Sequence, residues 1–281
     1  MNLVIQGQDV ETADLKAIAK LSRARSIGQV TSQAFRLQNA HQDAAIPTLC
    51  EAAKLDYAYV PEDRRLSDFR LLVMDMDSTL ITIETIDELA DLVGLKKDVA
   101  AITEAAMRGE IEYDESLRRR VAVLKGLGEN ALRRVYDERV KLTPGAETLL
   151  AKAQSVGMRT LLVSGGFTYV TGRLKTRLKL DYTRSNCLEI VDGKLTGGIV
   201  GDIVNAERKR EALIEVRDLL GLRREEIIGI GDGANDLKFM AECGVSIAYH
   251  AKPIVRGQTT HAINHVDLSG VLPLFNEDGK G

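Results

Sequence analysis

The sequence of 281 residues contains no tryptophan, five prolines and three cysteines. Cys50, Cys187 and Cys243 are odd in number and far apart, which argues against both a disulfide framework and a zinc site. No apolar run approaches the ~20 residues needed to cross a bilayer, and the first residues lack a basic stretch followed by an apolar core. We therefore expect a cytoplasmic protein.

The chain also lacks an excess of either charge. The 38 Lys+Arg against 41 Asp+Glu give a net charge of −3, which provides no long-range attraction to a polyanion. The dense basic cluster Arg118 to Arg120 is short, so no nucleic-acid partner is expected. A hydrophobic fraction of 44% is ordinary for a globular protein and excludes a disordered or fibrous one.

The order of predicted elements divides the chain into three domains. Residues 1–64 predict a small α+β domain with a strand at 2–6, a helix at 12–21, an extended stretch at 27–37 and a helix at 44–53. The polar run 61–68 predicts a linker because it offers little apolar surface to bury. Residues 69–82 and 141–281 are assigned to a larger core domain, and residues 83–140 to a helical cap inserted into it.

The core has the pattern of an α/β fold. Apolar strands are predicted at 69–74, 160–163, 226–230 and 245–248, with helices between them, and residues 188–193 predict a hairpin with a turn at Asp192 and Gly193. Strands separated by helices predict a doubly wound parallel sheet, which binds ligands beyond the carboxyl ends of its strands.

Two carboxylates follow the first of these strands. Asp75 and Asp77 are two residues apart, so in an extended chain their side chains point to the same side. The repulsion between two such carboxylates is tolerable if a divalent cation binds one of them and a proton the other. A polar strand end with Asp77 capping a turn is the alternative for this motif alone.

Two further motifs offer groups that suit phosphate. Ser164, Gly165 and Gly166 follow a second strand, and a hydroxyl beside an exposed backbone N–H makes an anion site. Lys209 lies near the start of a predicted helix and offers a point charge. Taken singly, the first motif is also an ordinary turn, and the lysine is also an ordinary solvated residue.

A third strand ends in the sequence GDGAND at 231–236. Asp232 and Asp236 place negative charge where a dinucleotide pyrophosphate would lie, which excludes a dinucleotide-binding fingerprint. Carboxylates among glycines suit Mg²⁺ instead.

In this order, the four motifs resemble those of the haloacid dehalogenase superfamily of phosphotransferases, from about residue 70 to 253. Several phrases are similar to the phosphoserine phosphatase family in particular; they lie at 80–90, 107–113, 116–121 and 251–253. The resemblance implies hydrolysis of O-phospho-L-serine to L-serine and phosphate, the last step of serine biosynthesis. It also implies Mg²⁺ and an aspartyl-phosphate intermediate.

The resemblance assigns roles to individual residues. Asp75 would be the nucleophile and Asp77 the acid, with Asp75, the backbone carbonyl of Asp77, and Asp232 as metal ligands. The cap would recognise the serine through Glu84 at the ammonium and Arg120 at the carboxylate. The remaining assignments are Ser164, Gly165, Lys209 and Asn235 for binding, Asp236 for orienting water or Lys209, Met107 as an apolar pocket residue, and Tyr113 where many members have Phe.

Other interpretations remain open. The same chemistry serves a phosphotransferase that passes phosphate to an alcohol such as homoserine, or a broad sugar or nucleotide phosphatase. A receiver-type signalling module also carries phosphate on an Asp, but Asp77 and the inserted cap disfavour it. Residues 1–64 fit an amino-acid-binding regulatory unit of ACT type or a packing and dimerisation domain, so a homodimer stays open. The alternative to substrate recognition by Glu84 and Arg120 is that both are surface charges on amphipathic helices.

Overall fold

The structure is a computed structural model that describes residues 1–276, except for the side chain of Met107. The strands of this part of the chain are β1 (Asn2–Gln6), β2 (Ser26–Thr31), β3 (Ala34–Gln38), β4 (Asp56–Val60), β5 (Leu71–Met74), β6 (Arg159–Phe167), β7 (Tyr182–Val191), β8 (Lys194–Val200), β9 (Ile227–Gly231), β10 (Val245–Tyr249) and β11 (His261–Ile263). The helices are α1 (Thr12–Leu21), α2 (Ile46–Ala52), α3 (Thr85–Asp91), α4 (Lys96–Met107), α5 (Tyr113–Val123), α6 (Asn130–Glu138), α7 (Ala146–Ser155), α8 (Thr168–Leu178), α9 (Ala206–Leu219), α10 (Leu237–Met240) and α11 (Pro253–Arg256).

The N-terminal α+β module is an antiparallel sheet with the strand order β2-β3-β1-β4 and two helices. Its core forms where buried strand residues such as Leu3 and Ile5 meet Ile18 of α1 and Ile46 of α2. The extended stretch predicted at 27–37 is wrong in detail, because Ser32 and Gln33 turn the chain between β2 and β3. No glycine or proline marks this turn.

Strand β4 was not predicted from the sequence, and the linker predicted at 61–68 is partly structured. Residues 66–68 form a 3-10 turn in which Leu66 is buried, so this segment does bury apolar surface. The Asp68 carboxylate accepts a hydrogen bond from the Arg65 N–H at 2.8 Å. Local hydrogen bonding of this kind is not visible as hydrophobic periodicity.

Long-range hydrogen bonds join the N-terminal module to residues late in the chain. The Arg36 guanidinium donates to the carbonyls of Pro273 and Phe275 at 2.7 and 2.6 Å. The buried carboxylate of Asp56 in β4 accepts the N–H groups of Asn264 and His265, each at 2.8 Å. The module is therefore attached by specific polar contacts to backbone groups late in the chain.

The second sheet has seven strands in the order β11-β10-β9-β5-β6-β7-β8. Strand β10 pairs in parallel with β9 and β11, and β6 pairs in parallel with β7. Strands β7 and β8 form an antiparallel hairpin whose turn residues, Asp192 and Gly193, both have positive φ, at 49° and 70°. The α/β prediction and the hairpin are thus confirmed, with a mixed rather than purely parallel sheet.

Four helices, α3 to α6, follow β5. Their buried residues, among them Leu89, Val99, Leu117 and Leu132, form one apolar cluster that also includes Leu195 of β8. The helical insertion expected after the first strand of the core is therefore present.

The chain forms two compact units. One comprises residues 1–72, 144–159 and the described residues from 222 onward, and it holds the N-terminal module with β9, β10 and β11. The other comprises residues 73–143 and 160–221, and it holds the helical insertion with β6, β7, β8, α8 and α9. The three domains predicted from the sequence, with their boundaries, stay a prediction. Within residues 1–276, none of the helices combines the length and apolar character that crossing a membrane requires.

The buried His261 predicts a loss of stability in acid. Its side chain is 7% exposed, and burial, followed by the nearby Arg64 charge, lowers the pKa of His261 from 6.5 to about 4. Because the folded chain then binds this proton less readily than the unfolded chain, the contribution is present above about pH 6.5 and is lost as the pH falls toward 4. The loss in the free energy of unfolding reaches about 3 kcal/mol.

Urea unfolding from pH 7 to 4 tests this prediction. The free energy of unfolding should decline less steeply with falling pH for His261→Gln than for the unsubstituted protein. His41→Gln, at an exposed site, serves as the control, and identical pH profiles for His261→Gln and the unsubstituted protein would contradict the prediction.

Candidate active site

The first motif forms a tight loop at the end of β5. All four residues of β5 are buried, and Asp75 and Met76 that follow are 5% and 0% exposed. The carbonyl of Met76 accepts hydrogen bonds from the N–H groups of Leu80 and Ile81, each at 2.9 Å. The backbone therefore turns around Met76, with the two motif carboxylates on either side of it in the sequence.

Ser78 stores backbone strain in this loop. Its φ is 59°, in the left-handed region that non-glycine residues avoid. Its hydroxyl donates to the Glu84 carboxylate at 2.7 Å, which helps to hold the conformation. Strain of this kind persists where the surrounding structure over-determines it, often at functional sites.

Asp77 has the properties of a proton donor. Burial, and then the negative charge of Glu84, raise the pKa of Asp77 to about 8, although the Thr85 hydroxyl donates to its Oδ1 at 2.7 Å and opposes the rise. In this environment the carboxyl group is largely protonated at neutral pH. No motif in the sequence pointed to Thr85, the first residue of α3, as a partner of Asp77.

The second motif lies against Asp77. Ser164 is 0% exposed, and its Oγ accepts a hydrogen bond from the Gly166 N–H at 2.8 Å. A Cβ placed on Gly166 would lie only 3.0 Å from Asp77 Oδ2 and 2.7 Å from Met76 Cε, so glycine permits this close approach. The turn expected at this motif is wrong, because Ser164 to Gly166 belong to β6 and α8 begins only at Thr168.

Asn186 fixes the backbone of this motif, a role the sequence did not indicate. The side chain is 1% exposed, and its Nδ2 donates to the Gly165 carbonyl at 2.7 Å. Its Oδ1 accepts the Val204 N–H at 2.8 Å. The Asn186 side chain in β7 thus links the backbone of Gly165 to the backbone of Val204 and holds Gly165 in place.

Lys209 forms an ion pair with Asp75. It lies in the first turn of α9, whose N-cap is Asn205; the Asn205 side chain accepts from the N–H groups of Glu207 and Arg208, each at 3.1 Å. Lys209 is 1% exposed, and its Nζ donates to Asp75 Oδ1. The structure therefore brings together Asp75 and Lys209, from motifs 134 residues apart in the sequence.

Glu84 and Arg120, the two cap charges expected at the substrate, interact electrostatically with each other. Desolvation raises the pKa of Glu84, whereas Ser78 and the positive charge of Arg120 lower it. The Nε of Arg120 is buried and has no hydrogen-bond partner among the described residues. Met107 ends α4, and its side chain lies outside the described residues, so its expected place in the pocket stays a prediction.

The GDGAND motif closes on itself through Asp236. The buried carboxylate of Asp236 accepts the N–H groups of Asp232 and Gly233 at 3.2 and 3.1 Å. A Cβ on Gly231 would lie 2.6 Å from the Asp236 side chain, so glycine is required at the end of β9. Asn235 is partly exposed, and its expected role stays a prediction.

An acidic group in the described part of the chain is consistent with a divalent metal. Carboxylate oxygens of Asp232 and Asp236 lie within 4.8 Å of each other. Oxygen donors of this kind are what hard divalent cations prefer. The group differs from the expected ligands in including the Asp236 carboxylate; Asp77 was expected to contribute its backbone carbonyl.

Comparison with known proteins identifies the family. Residues 72–241 match the model of the haloacid dehalogenase-like hydrolases. A phosphoserine phosphatase of Polaromonas is 54% identical over 217 residues, which cover 75% of this chain and 92% of that protein. The chain belongs to the phosphoserine phosphatase family of haloacid dehalogenase-like hydrolases. It is therefore an enzyme of the phosphatase class.

Further relatives extend the family match over the N-terminal module. A probable phosphoserine phosphatase of Schizosaccharomyces pombe is 40% identical over 269 residues, covering 94% of this chain and 90% of that protein. The crystal structure of the unliganded probable phosphoserine phosphatase of Vibrio cholerae is 36% identical, with a TM-score of 0.86 over 98% of this chain and 86% of that one. Residues 3–46 also match a domain of unknown function.

Proposed function

We propose that this family member hydrolyses O-phospho-L-serine to L-serine and inorganic phosphate. The observation that carries the proposal is the unpartnered, buried Nε of Arg120 in a cap that also holds Glu84. A buried donor without an acceptor costs roughly 1–3 kcal/mol, which a bound carboxylate would relieve. The names of the relatives support the same substrate.

The substrate explains the pair of opposite charges. Phosphoserine carries an ammonium and a carboxylate beside its phosphate. In the proposal, the Arg120 guanidinium donates to the carboxylate and the Glu84 carboxylate accepts from the ammonium, which are charge-assisted and therefore strong hydrogen bonds. The phosphate is then directed toward Asp75.

In the first chemical step, the Asp75 carboxylate attacks phosphorus in line. A bond forms from its oxygen to phosphorus as the bond from phosphorus to the serine oxygen breaks, and Asp77 gives its proton to that oxygen. The raised pKa of Asp77 supplies the proton at neutral pH. The Asp75–Lys209 pair keeps the nucleophile charged and oriented.

In the second step, water hydrolyses the aspartyl phosphate. Asp77, now ionised, takes a proton from the attacking water, and the bond from phosphorus to the Asp75 oxygen breaks to release phosphate. Ser164, Gly165, Lys209 and Asn235 are proposed to hold the phosphoryl oxygens through both steps. Asp236 positions the Asp232 backbone and so supports the site indirectly.

Magnesium is the proposed metal, held by Asp75, Asp232 and the backbone carbonyl of Asp77. The donor set fits, because carboxylate and carbonyl oxygens are the ligands that Mg²⁺ accepts. When bound, Mg²⁺ would offset the negative charge that accumulates as a carboxylate approaches a dianionic ester.

The direct test is phosphate release from a panel of phosphomonoesters. We expect turnover of O-phospho-L-serine with Mg²⁺, none after chelation, and lower kcat/KM for phosphoethanolamine, glycerol phosphate, glucose 6-phosphate and AMP. Asp75→Asn should abolish turnover and phosphoenzyme while leaving the thermal unfolding profile cooperative. Preference for a sugar or nucleotide ester, or phosphate recovered on added homoserine instead of in solution, would contradict the proposal.

The role of Asp77 is tested by the leaving group. With phosphoserine, Asp77→Asn should lose about 100-fold or more in rate, because the serine oxygen needs a proton. With p-nitrophenyl phosphate, whose leaving group needs none, the variant should still give a nitrophenol burst followed by slow turnover. Asp98→Asn, exposed on α4, is the control. An equal loss in the first step on both substrates would argue against Asp77 as the acid.

The role of Arg120 is tested by the substrate carboxylate. Arg120→Met should raise KM for phosphoserine by about 10- to 100-fold, the value of one hydrogen bond between charged groups. KM for phosphoethanolamine, which lacks the carboxylate, should change by less than about threefold. Arg119→Met, at the exposed neighbour paired with Glu115, provides the matched control. Comparable losses on both substrates would point to damage to the cap instead.

Cytoplasmic location, a homodimer, and an ACT-type regulatory role for residues 1–64 stay predictions of the sequence. Sedimentation of the purified chain tests the dimer, and a monomer at micromolar concentration would contradict it. Adding L-serine to the full chain during turnover tests the regulatory role, and unchanged rates would contradict that role.

A further inference from the structure

Tyr113 places a hydroxyl group beside the phosphate-binding motif. It is the first residue of α5, and its ring packs against the apolar cluster of the cap. A Cβ built on Gly165 would lie 2.2 Å from the Tyr113 hydroxyl oxygen and 3.5 Å from the adjoining ring carbon. The hydroxyl oxygen therefore occupies the space where a side chain at position 165 would begin.

The backbone beneath this hydroxyl is rigidly held. Asn186 donates to the Gly165 carbonyl, and Ser164 Oγ accepts the Gly166 N–H. The hydroxyl thus faces a fixed segment of β6. Under the proposed function, this segment binds the phosphoryl oxygens.

The charges around the phenol are those of the reaction. Lys209, Arg120, Asp75 and Asp77 all act on it electrostatically. Burial is the largest influence and raises the pKa of Tyr113, so the group remains a protonated hydrogen-bond donor. A donor at this place complements a phosphate dianion.

A separate hydrogen bond fixes the start of α5. The Asp114 carboxylate, next to Tyr113, accepts from Asn205 Nδ2 at 3.0 Å. The Oδ1 of the same amide caps α9, the helix that carries Lys209. Tyr113 is thereby held at a set distance from the helix whose lysine contacts Asp75.

We propose that the Tyr113 hydroxyl is a further substrate-binding group, which donates a hydrogen bond to a phosphoryl oxygen. The inference rests on the proposed function for the identity of the substrate. It assigns the hydroxyl to the phosphoryl end of the substrate, away from the ammonium and carboxylate. Phenylalanine at this position would keep the ring packing and lose the hydrogen bond.

The first experiment uses Tyr113→Phe and measures binding at each end of the substrate. By calorimetry in Mg²⁺, the Kd of inorganic phosphate should rise about 10- to 100-fold, the effect of one hydrogen bond to a charged acceptor. The Ki of L-serine should stay within about twofold, and kcat/KM for phosphoserine should fall with the phosphate affinity. Tyr136→Phe, which removes a hydroxyl from cap helix α6, should match the unsubstituted protein.

An unchanged phosphate Kd, or a rise confined to L-serine, would overturn the inference. Failure of the proposed function would instead appear as an absence of phosphoserine hydrolysis by the unsubstituted protein, whereas phosphate binding can still be measured. The two failures are therefore distinguishable.

A second experiment tests the contact between Tyr113 and Gly165. Gly165→Ala should weaken phosphate binding strongly, because the new Cβ meets the hydroxyl oxygen. In the Tyr113→Phe background, the nearest remaining ring atom lies 3.5 Å away, so the same change should cost several-fold less. Strictly additive effects of the two substitutions would show that the hydroxyl does not lie on Gly165 and would overturn the inference.

Discussion

The buried ion pair between Asp75 and Lys209 is the interaction on which the site depends. Both side chains are almost fully enclosed, at 5% and 1% exposed, and isolated charges cannot remain in such surroundings. Each is tolerated because the other is there. The end of β5 and the first turn of α9 must therefore lie side by side whenever this unit is folded.

The same first turn of α9 serves a second purpose. Asn205 uses its amide oxygen to cap the helix and its amide nitrogen to hold Asp114 at the start of α5. One side chain thus connects the helix of the buried lysine to the helix that carries Tyr113 and Arg120. Asn205 therefore positions both the groups proposed for the phosphoryl end of the substrate and the arginine proposed for its carboxylate end.

Much of the fold could be predicted from the sequence, because continuous apolar runs and the glycine-rich ends of strands carry strong local signals. The β5 motif, the hairpin at Asp192 and the helical insertion are of this kind. The turn at Ser32 carries no such signal, since no glycine or proline marks it. Strand β4, with two tyrosines and a valine in five residues, does contain strand-forming residues and could have been predicted. The continuation of β6 through Ser164 to Gly166 runs against the tendency of glycine pairs to end strands. The candidate site divides in the same way, because the charged residues in motifs could be named. Asn186 and Asn205 bond to groups 18 to 91 residues away, and Thr85 bonds to Asp77 across the loop between them, which no local pattern reveals.

The anchoring of the N-terminal sheet has a consequence for how the chain acquires its structure. Arg36 and Phe275 are joined by a hydrogen bond although 239 residues separate them. The acceptors for the arginine of this sheet are synthesised more than two hundred residues after the sheet itself. The part of the sheet surface that contacts Pro273 and Phe275 is therefore exposed until that late segment has been made. Contacts of such long sequence separation are also slow to form. Docking of the late segment onto the early sheet therefore has to follow synthesis of the chain between them, and until then chaperones would have this surface to protect.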